Sequence, residues 1–351
     1  MVVFVYNYAK QVKPLPKARK DQVDYQTTPY YHCISRCVRR AFLCGTDKVT
    51  GKNYDHRKQW LVDRMKLLTE VFPMQICAYA AMSNHYHIIL HVDADQVKTW
   101  SEDEVLRRWS KLFVDPKNPD PVKYRQYKNR VYEVKKLRQR LTEISWFMRC
   151  MNETIARASN QEDHCKGRFW EGRFKSQALL DEGALLTCMT YVDLNPIRAG
   201  LCKKPEDAEF TSIQERIHHY WAKTQQKPKK VTQYQDQQAH SLGHGLVKFA
   251  GRQSTEQTEL PINRKDYFEL LDWTGRILRQ NKKGKIPDKF KPILQRLDLD
   301  ETEWIASLRN FRHRFFHAIG HVQKLNSYAR RRKINWVRGV GSAKRLYREV
   351  A

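Results

Sequence analysis

Two apolar runs, Ala78 to Met82 and Ile88 to Val92, flank a polar Ser83-Asn84 turn. This is the pattern of paired strands, and the second opens with His85-Tyr86-His87. Side chains along a strand alternate faces, so His85 and His87 project together while Tyr86 and Ile88 point the other way. Earlier, Tyr30 to Val38 is rich in β-formers and predicts a first strand. Leu61, Met65, Leu68 and Phe72 fall at helical spacing and predict a helix over about 56–72, stopped by Pro73. A helix near 102–114 follows, then turn chemistry at 116–121. Val134, Leu137, Leu141, Ile144, Met148, Met151 and Ile155 then keep a helical rhythm over more than five turns. That stripe reads as a packing seam, with a partner coiled coil as the alternative. Gln177 to Leu180 predicts a short strand. Asp181 and Glu182 start a helix through Leu185, Leu186, Met189 and Val192, which Asn195-Pro196 ends.

The pattern divides the chain. Residues 1–28 form a basic arm broken by Pro14 and Pro16, and 29–217 carry the main strand-and-helix domain. Residues 218–259 are a Gln- and Lys-rich linker, 260–324 return to helical spacing as an accessory region, and 325–351 read as a basic tail.

Composition adds a partner. The 351 residues hold 65 Lys and Arg against 38 Asp and Glu, a net charge of +27. Charge of that sign points to a polyanion, with nucleic acid first. No apolar run reaches the roughly 18 residues that span a bilayer, and the apolar stretch from Met1 to Tyr6 is too short for a secretory core. The expectation is a protein without membrane contact, cytoplasmic and nucleoid-associated when on DNA. Its eight cysteines then stay reduced. Cys33, Cys37 and Cys44 lack the paired spacing of a zinc knuckle.

Candidate chemistry gathers at two places. His85 and His87 form two corners of a metal site or one wall of a phosphate site. On the helix ending near Asn195, positions four apart share a face, so Tyr191 and Asn195 point the same way. If that face packs beside the histidines, Asn195 supplies an oxygen ligand and Tyr191 a hydroxyl. Two imidazoles, an amide oxygen and open positions suit Mg2+ or Mn2+ holding a phosphodiester. Gly167 to Lys175 interleaves Arg168, Trp170, Arg173 and Lys175 with glycines, which suits phosphate contact and base stacking. Packing of Trp170 into the core is the equal alternative. Arg330, Arg331, Arg332 and Lys333 open the basic tail and are expected on phosphates.

Four segments together, Tyr31-His32-Cys33-Ile34-Ser35-Arg36, Met82 to His87, Gly172 to Lys175 and Tyr191 to Leu201, resemble the HUH single-strand DNA endonucleases that use one tyrosine. The likeness is to the REP-associated tyrosine transposases, insertion-sequence-type transposases, over about 30–215. The resemblance implies an α+β fold, a ferredoxin-like antiparallel sheet with helices on one face, to which a C-terminal helical region is added. It implies Tyr191 as nucleophile, with His85, His87 and Asn195 binding the metal, and places Arg36 with the DNA-binding residues. The implied reaction cleaves and rejoins single-stranded or hairpin DNA through a 5′-phosphotyrosine. Cys37 stands where the family usually has glycine, and the region after 217 exceeds that of compact members.

Two other readings stay open: a sequence-specific DNA-binding protein of the same fold without cleavage, and a metallonuclease in which water attacks and Tyr191 is structural. Either a monomer or a homodimer is compatible with the sequence.

Overall fold

A computed structural model describes residues 23–38, 43–47, 51–113, 134–224, 245–250, 259–280, 288 and 291–347. Most of the expected basic arm and most of the expected linker lie outside the described residues.

The architecture is α+β with a five-stranded mixed sheet in the order β2-β3-β1-β4-β5. In chain order, β1 (Tyr30–Arg36) precedes α1 (His56–Val71), β2 (Met74–Ala81) and β3 (His85–Val92). Then come α2 (Gln96–Thr99), α3 (Glu102–Ser110), α4 (Val134–Thr142), α5 (Ile144–Glu162) and β4 (Lys175–Leu179). The main region closes with α6 (Glu182–Asp193), α7 (Asn195–Arg198) and α8 (Ser212–Thr224). The C-terminal region holds α9 (Arg264–Gln280), α10 (Lys291–Arg296), α11 (Glu301–Arg309), α12 (Phe311–Arg314), β5 (Ala318–Ile319), α13 (Val322–Arg331) and α14 (Val340–Leu346).

Strand β1 is central, antiparallel to both β3 and β4. Directly paired residues share a face. The pairs Arg36–His85, Ile34–His87 and His32–Ile89 therefore put His32, Ile34 and Arg36 on the histidine face. Gln177 pairs with His32 and Lys175 with Ile34, so both join that face from β4.

Helices cover both faces, a correction to the expected single helical layer. On the face opposite the histidines, Asn152 of α5 accepts a hydrogen bond from the Tyr86 hydroxyl at 2.7 Å and donates one to the Ser35 hydroxyl at 2.9 Å. Helix α1 packs on α5 there, with Phe72 and Phe147 rings 5.5 Å apart and Arg57 bound to Glu162 at 2.7 Å. On the histidine face lies α6, whose Tyr191 ring meets the His87 ring at 5.7 Å. Both faces have to be buried because β2 and β3 carry apolar residues on each side, with Ile76, Ala78, Ala80, Ile88, Ile89 and Leu90 all at 1% exposure or less.

Three further expectations change. The long stripe from Val134 is two helices, because Glu143 is extended at φ −93° and ψ 121°. The expected linker is partly structured: α8 runs to Thr224, and Ile76 pairs with the carbonyl of Gly245 and the N–H of Val247 along the outer edge of β2. The expected basic tail is folded through residue 347. Leu325, Tyr328, Ala343 and Leu346 are buried, and the Tyr347 hydroxyl donates to Asp181 at 2.6 Å. Among the described residues, no helix is long and apolar enough to cross a membrane.

Candidate active site

The site forms where α6 crosses the histidine face of the sheet. Helix α6 starts at Asp181, whose carboxylate accepts from the Ala184 N–H at 2.8 Å. Its C-terminal end is clamped by Asp193, which is fully buried. That carboxylate accepts from the Ser212 hydroxyl (2.5 Å), the Ile213 N–H (3.2 Å) and the Tyr267 hydroxyl (2.6 Å). Burial pushes Asp193 up to about 6, against these hydrogen bonds and the nearby Arg216 charge, which favour the anion. Helices α8 and α9 thus hold the turn that carries Tyr191.

Tyr191 is only 2% exposed. Its ring stacks on Phe311 with centroids 4.1 Å apart and planes 13° from parallel, while the Arg198 guanidinium lies 4.6 Å from the ring centroid. Its hydroxyl oxygen accepts from Arg312 Nε at 3.2 Å, and the same guanidinium donates to His85 Nε2 at 2.9 Å. Arginine has only donors, so His85 is neutral with its proton on Nδ1, which donates to Asn84 Oδ1 at 2.7 Å.

His87 is fully buried. Its Nδ1 lies 2.8 Å from His32 Nε2, and its Nε2 has no hydrogen-bond partner. All three imidazoles are held neutral. Burial is the main cause, lowering His32 and His85 each to about 4 and His87 well below its ordinary value; the Arg312 charge adds to all three.

Tyr191, His85 and His87 are therefore brought together, and Arg36 joins them as the ladder partner of His85. Asn195 is placed differently from the continuous-helix picture. The helix breaks at Leu194 because Pro196 has no N–H to extend it, and the Asn195 side-chain N–H donates back to the Tyr191 carbonyl at 3.3 Å. Trp170 is a core residue: it is 8% exposed, its indole N–H donates to the Asn152 carbonyl at 2.8 Å, and its ring packs edge-on to Tyr86. Arg168 and Arg173 stay exposed on the loop between α5 and β4, and Lys175 is exposed at the start of β4. Arg331 is bound to Asp24 at 3.1 Å and Gln26 at 2.7 Å. Arg332 is half-buried over the Tyr328 ring, while Arg330 and Lys333 are exposed.

Phe311 and Arg312 are not legible as site residues in the sequence, since Phe311 falls in the same helical rhythm as Trp304, Ile305 and Leu308. Gln177 and His32 can be found by strand parity, once β4 and β1 are paired with β3.

The donor chemistry fits a divalent cation in part. His87 Nε2 is a buried lone pair without a partner, and His85 Nε2 already faces a cation, the Arg312 guanidinium. His85 is free to ligate only once Arg312 leaves. Asn195 bonds to the Tyr191 carbonyl rather than toward the imidazoles. Among the described residues no cluster of three or more His, Cys, Asp and Glu side chains has metal-binding form.

No protein-family model and no curated protein matches the chain. A solved structure of a REP-associated tyrosine transposase bound to a REP hairpin matches over 67% of this chain and 92% of its own, at 12% identity and a TM-score of 0.33. At that depth of superposition the functional reading rests on the geometry of the site.

Proposed function

We propose that the chain is a DNA-processing enzyme of the transposase type, cleaving and rejoining single-stranded hairpin DNA with Tyr191 as nucleophile. One observation carries the reading: a phenol hydroxyl, two neutral imidazoles on one strand face and two guanidinium groups meet in a single cluster. A phenol is a poor nucleophile at neutral pH and needs its target phosphorus polarised and held in line. A divalent cation, Mg2+ or Mn2+, would supply that polarisation from His85 and His87, with Asn195 as a further oxygen donor if its amide turns. Arg36 and Arg198 border the phenol and His85 and would hold the non-bridging phosphate oxygens. Attack by Tyr191 Oη forms a phosphorus–oxygen bond to the tyrosine, breaks the bond to the 3′ oxygen and leaves a 3′-OH. Rejoining runs the same step backwards. The sheet would then be the ferredoxin-like core that the motifs imply, enlarged by a fifth strand.

Phe311 and Arg312 cover the phenol, so DNA must displace α12 before Tyr191 can reach it. The reading is tested by mixing the protein with hairpin DNA and Mn2+ and looking for a covalent adduct under denaturing conditions. The expected adduct maps to Tyr191 and vanishes in Tyr191→Phe. Absence of an adduct from both the wild type and Arg312→Ala, with DNA bound, would leave the binding-protein reading in its place.

A further inference from the structure

His85 and His87 occupy equivalent places in the β3 ladder but differ in what their ring nitrogens touch. His85 has both nitrogens engaged, by Asn84 and Arg312. His87 has one engaged and one bare, and it is the deeper of the two, at 0% exposure. A buried polar nitrogen left without a partner is destabilising. Such an atom calls for an explanation, and at His87 it lies inside the cluster around Tyr191.

The geometry also says why that nitrogen is bare. Gln177 Oε1 lies 3.1 Å from His32 Nδ1, and a carbonyl oxygen only accepts, so His32 carries its proton on Nδ1. Neutral His32 then has a lone pair on Nε2, which is 2.8 Å from His87 Nδ1. The proton between the two rings therefore belongs to His87 Nδ1, and His87 Nε2 is left as an unprotonated lone pair. The ladder builds this chain directly. Gln177 is the pairing partner of His32 across β1 and β4, and His87 is the diagonal neighbour of His32 across β1 and β3. All three side chains are buried, His32 at 1% and Gln177 at 7% exposure, so each hydrogen bond acts with little competition from solvent.

We propose that His32 and Gln177 are positioning residues, a relay from β4 through β1 that holds His87 in the Nδ1–H form and presents its bare Nε2 to a cation. The proposal rests on the metal-dependent reading of the site. It adds the two residues that prepare one ligand before any metal arrives. The hydrogen bond also sets the ring plane: the His32 and His87 rings lie 5.1 Å apart and 17° from parallel. Partners behind a metal-binding imidazole are commonly worth 10- to 100-fold in affinity.

The test has two readouts on the full chain. Without metal, long-range proton–nitrogen spectra of the 15N-labelled protein report which nitrogen of His87 is protonated; with Mn2+ alone, titration reports affinity. The wild type is expected to show His87 as Nδ1–H. Gln177→Met keeps the volume but removes the acceptor, and is expected to let His87 populate the Nε2–H form and to weaken Mn2+ binding by about 10- to 100-fold. His32→Phe is expected to do the same, and Gln177→Met carries the test if that variant does not fold. A wild-type His87 protonated on Nε2, or a Gln177→Met protein with unchanged tautomer and affinity, overturns the relay. A wild type that shows the Nδ1–H form yet binds no Mn2+ overturns the cation reading of the site and, with it, the role of the bare nitrogen.

Discussion

Removing the Arg312 side chain is the most direct perturbation of the covered site. Arg312 is an exposed residue, yet its guanidinium makes two hydrogen bonds, to Tyr191 Oη at 3.2 Å and His85 Nε2 at 2.9 Å. Hydrogen bonds from a charged donor reach about 1.5–3 kcal/mol when buried, but solvent around this guanidinium brings the pair down to about 1–2 kcal/mol. Phe311 contributes the larger share: burying its ring is worth about 1.5–3 kcal/mol, and stacking on Tyr191 about 0.5–1.5 more. The cover as a whole then holds the site closed by about 3–6 kcal/mol, a closed-to-open ratio of roughly 10² to 10⁴. Arg312→Ala lowers this by the guanidinium's share and should raise the rate of tyrosine–DNA adduct formation by about 5- to 30-fold. It should also lower the Mn2+ concentration required, because His85 Nε2 no longer holds a competing cation. The assay is single-turnover adduct formation on a hairpin oligonucleotide across a Mn2+ series, with DNA affinity measured alongside. An unchanged rate would refute the cover. A slower one, with affinity retained, would mean that Arg312 works on the phosphate during the reaction.

Trp170→Ala should destabilise the fold by about 3–5 kcal/mol, seen in urea unfolding, because it empties the space beside Tyr86. A selective loss of DNA binding with normal stability would contradict its burial. Trp336 is 72% exposed in a basic stretch, so Trp336→Ala should leave stability within about 0.5 kcal/mol. Its affinity for single-stranded DNA should fall by about 1–3 kcal/mol with duplex binding little changed; equal loss on both forms would rule out stacking. His32 sits near 4 when folded against an ordinary value of 6.5, so between those values the unfolded chain binds more protons. Stability should therefore be intact above about pH 6.5 and fall as the pH drops toward 4, by up to about 3 kcal/mol from this residue. His32→Phe should reduce that slope in urea unfolding at pH 7 and pH 4.5, leaving the share of His85 and His87, and an unchanged slope would place the acid sensitivity elsewhere.

What can be read from the sequence follows the range of each interaction. The parity of His85 and His87 needs only a strand, and the Tyr191 helix needs only its spacing and its acidic start. Both depend on neighbours a few residues away, and both helix and strand lie where expected. The cover does not work that way, since Arg312 meets His85 across 227 positions and Tyr191 across 121. Nothing periodic marks an arginine for such a contact. Trp170 is ambiguous for another reason. An aromatic among arginines has the same local pattern whether its ring faces bases or core, and only the Asn152 carbonyl that takes its N–H decides. Asn195 departs from expectation because four-residue spacing assumes an unbroken helix, which Pro196 interrupts.

Strand β5 is only two residues long, yet it limits how the site can open. Its ladder to β4 runs through the His317 carbonyl to the Ala178 N–H at 2.9 Å and the Ile319 carbonyl to the Leu180 N–H at 2.8 Å. Gly320 follows in a place where a side-chain carbon would come within 2.7 Å of Leu180 Cβ, and the His321 N–H is fixed to Asp181 at 2.7 Å. Arg314 ends α12 and Ala318 begins β5, so the covering helix is tethered to the sheet by a leash of three residues, about 10 Å when fully extended. While β5 stays paired, α12 can swing aside but not depart. The open site would then always keep its cover within reach, ready to close again once the DNA leaves.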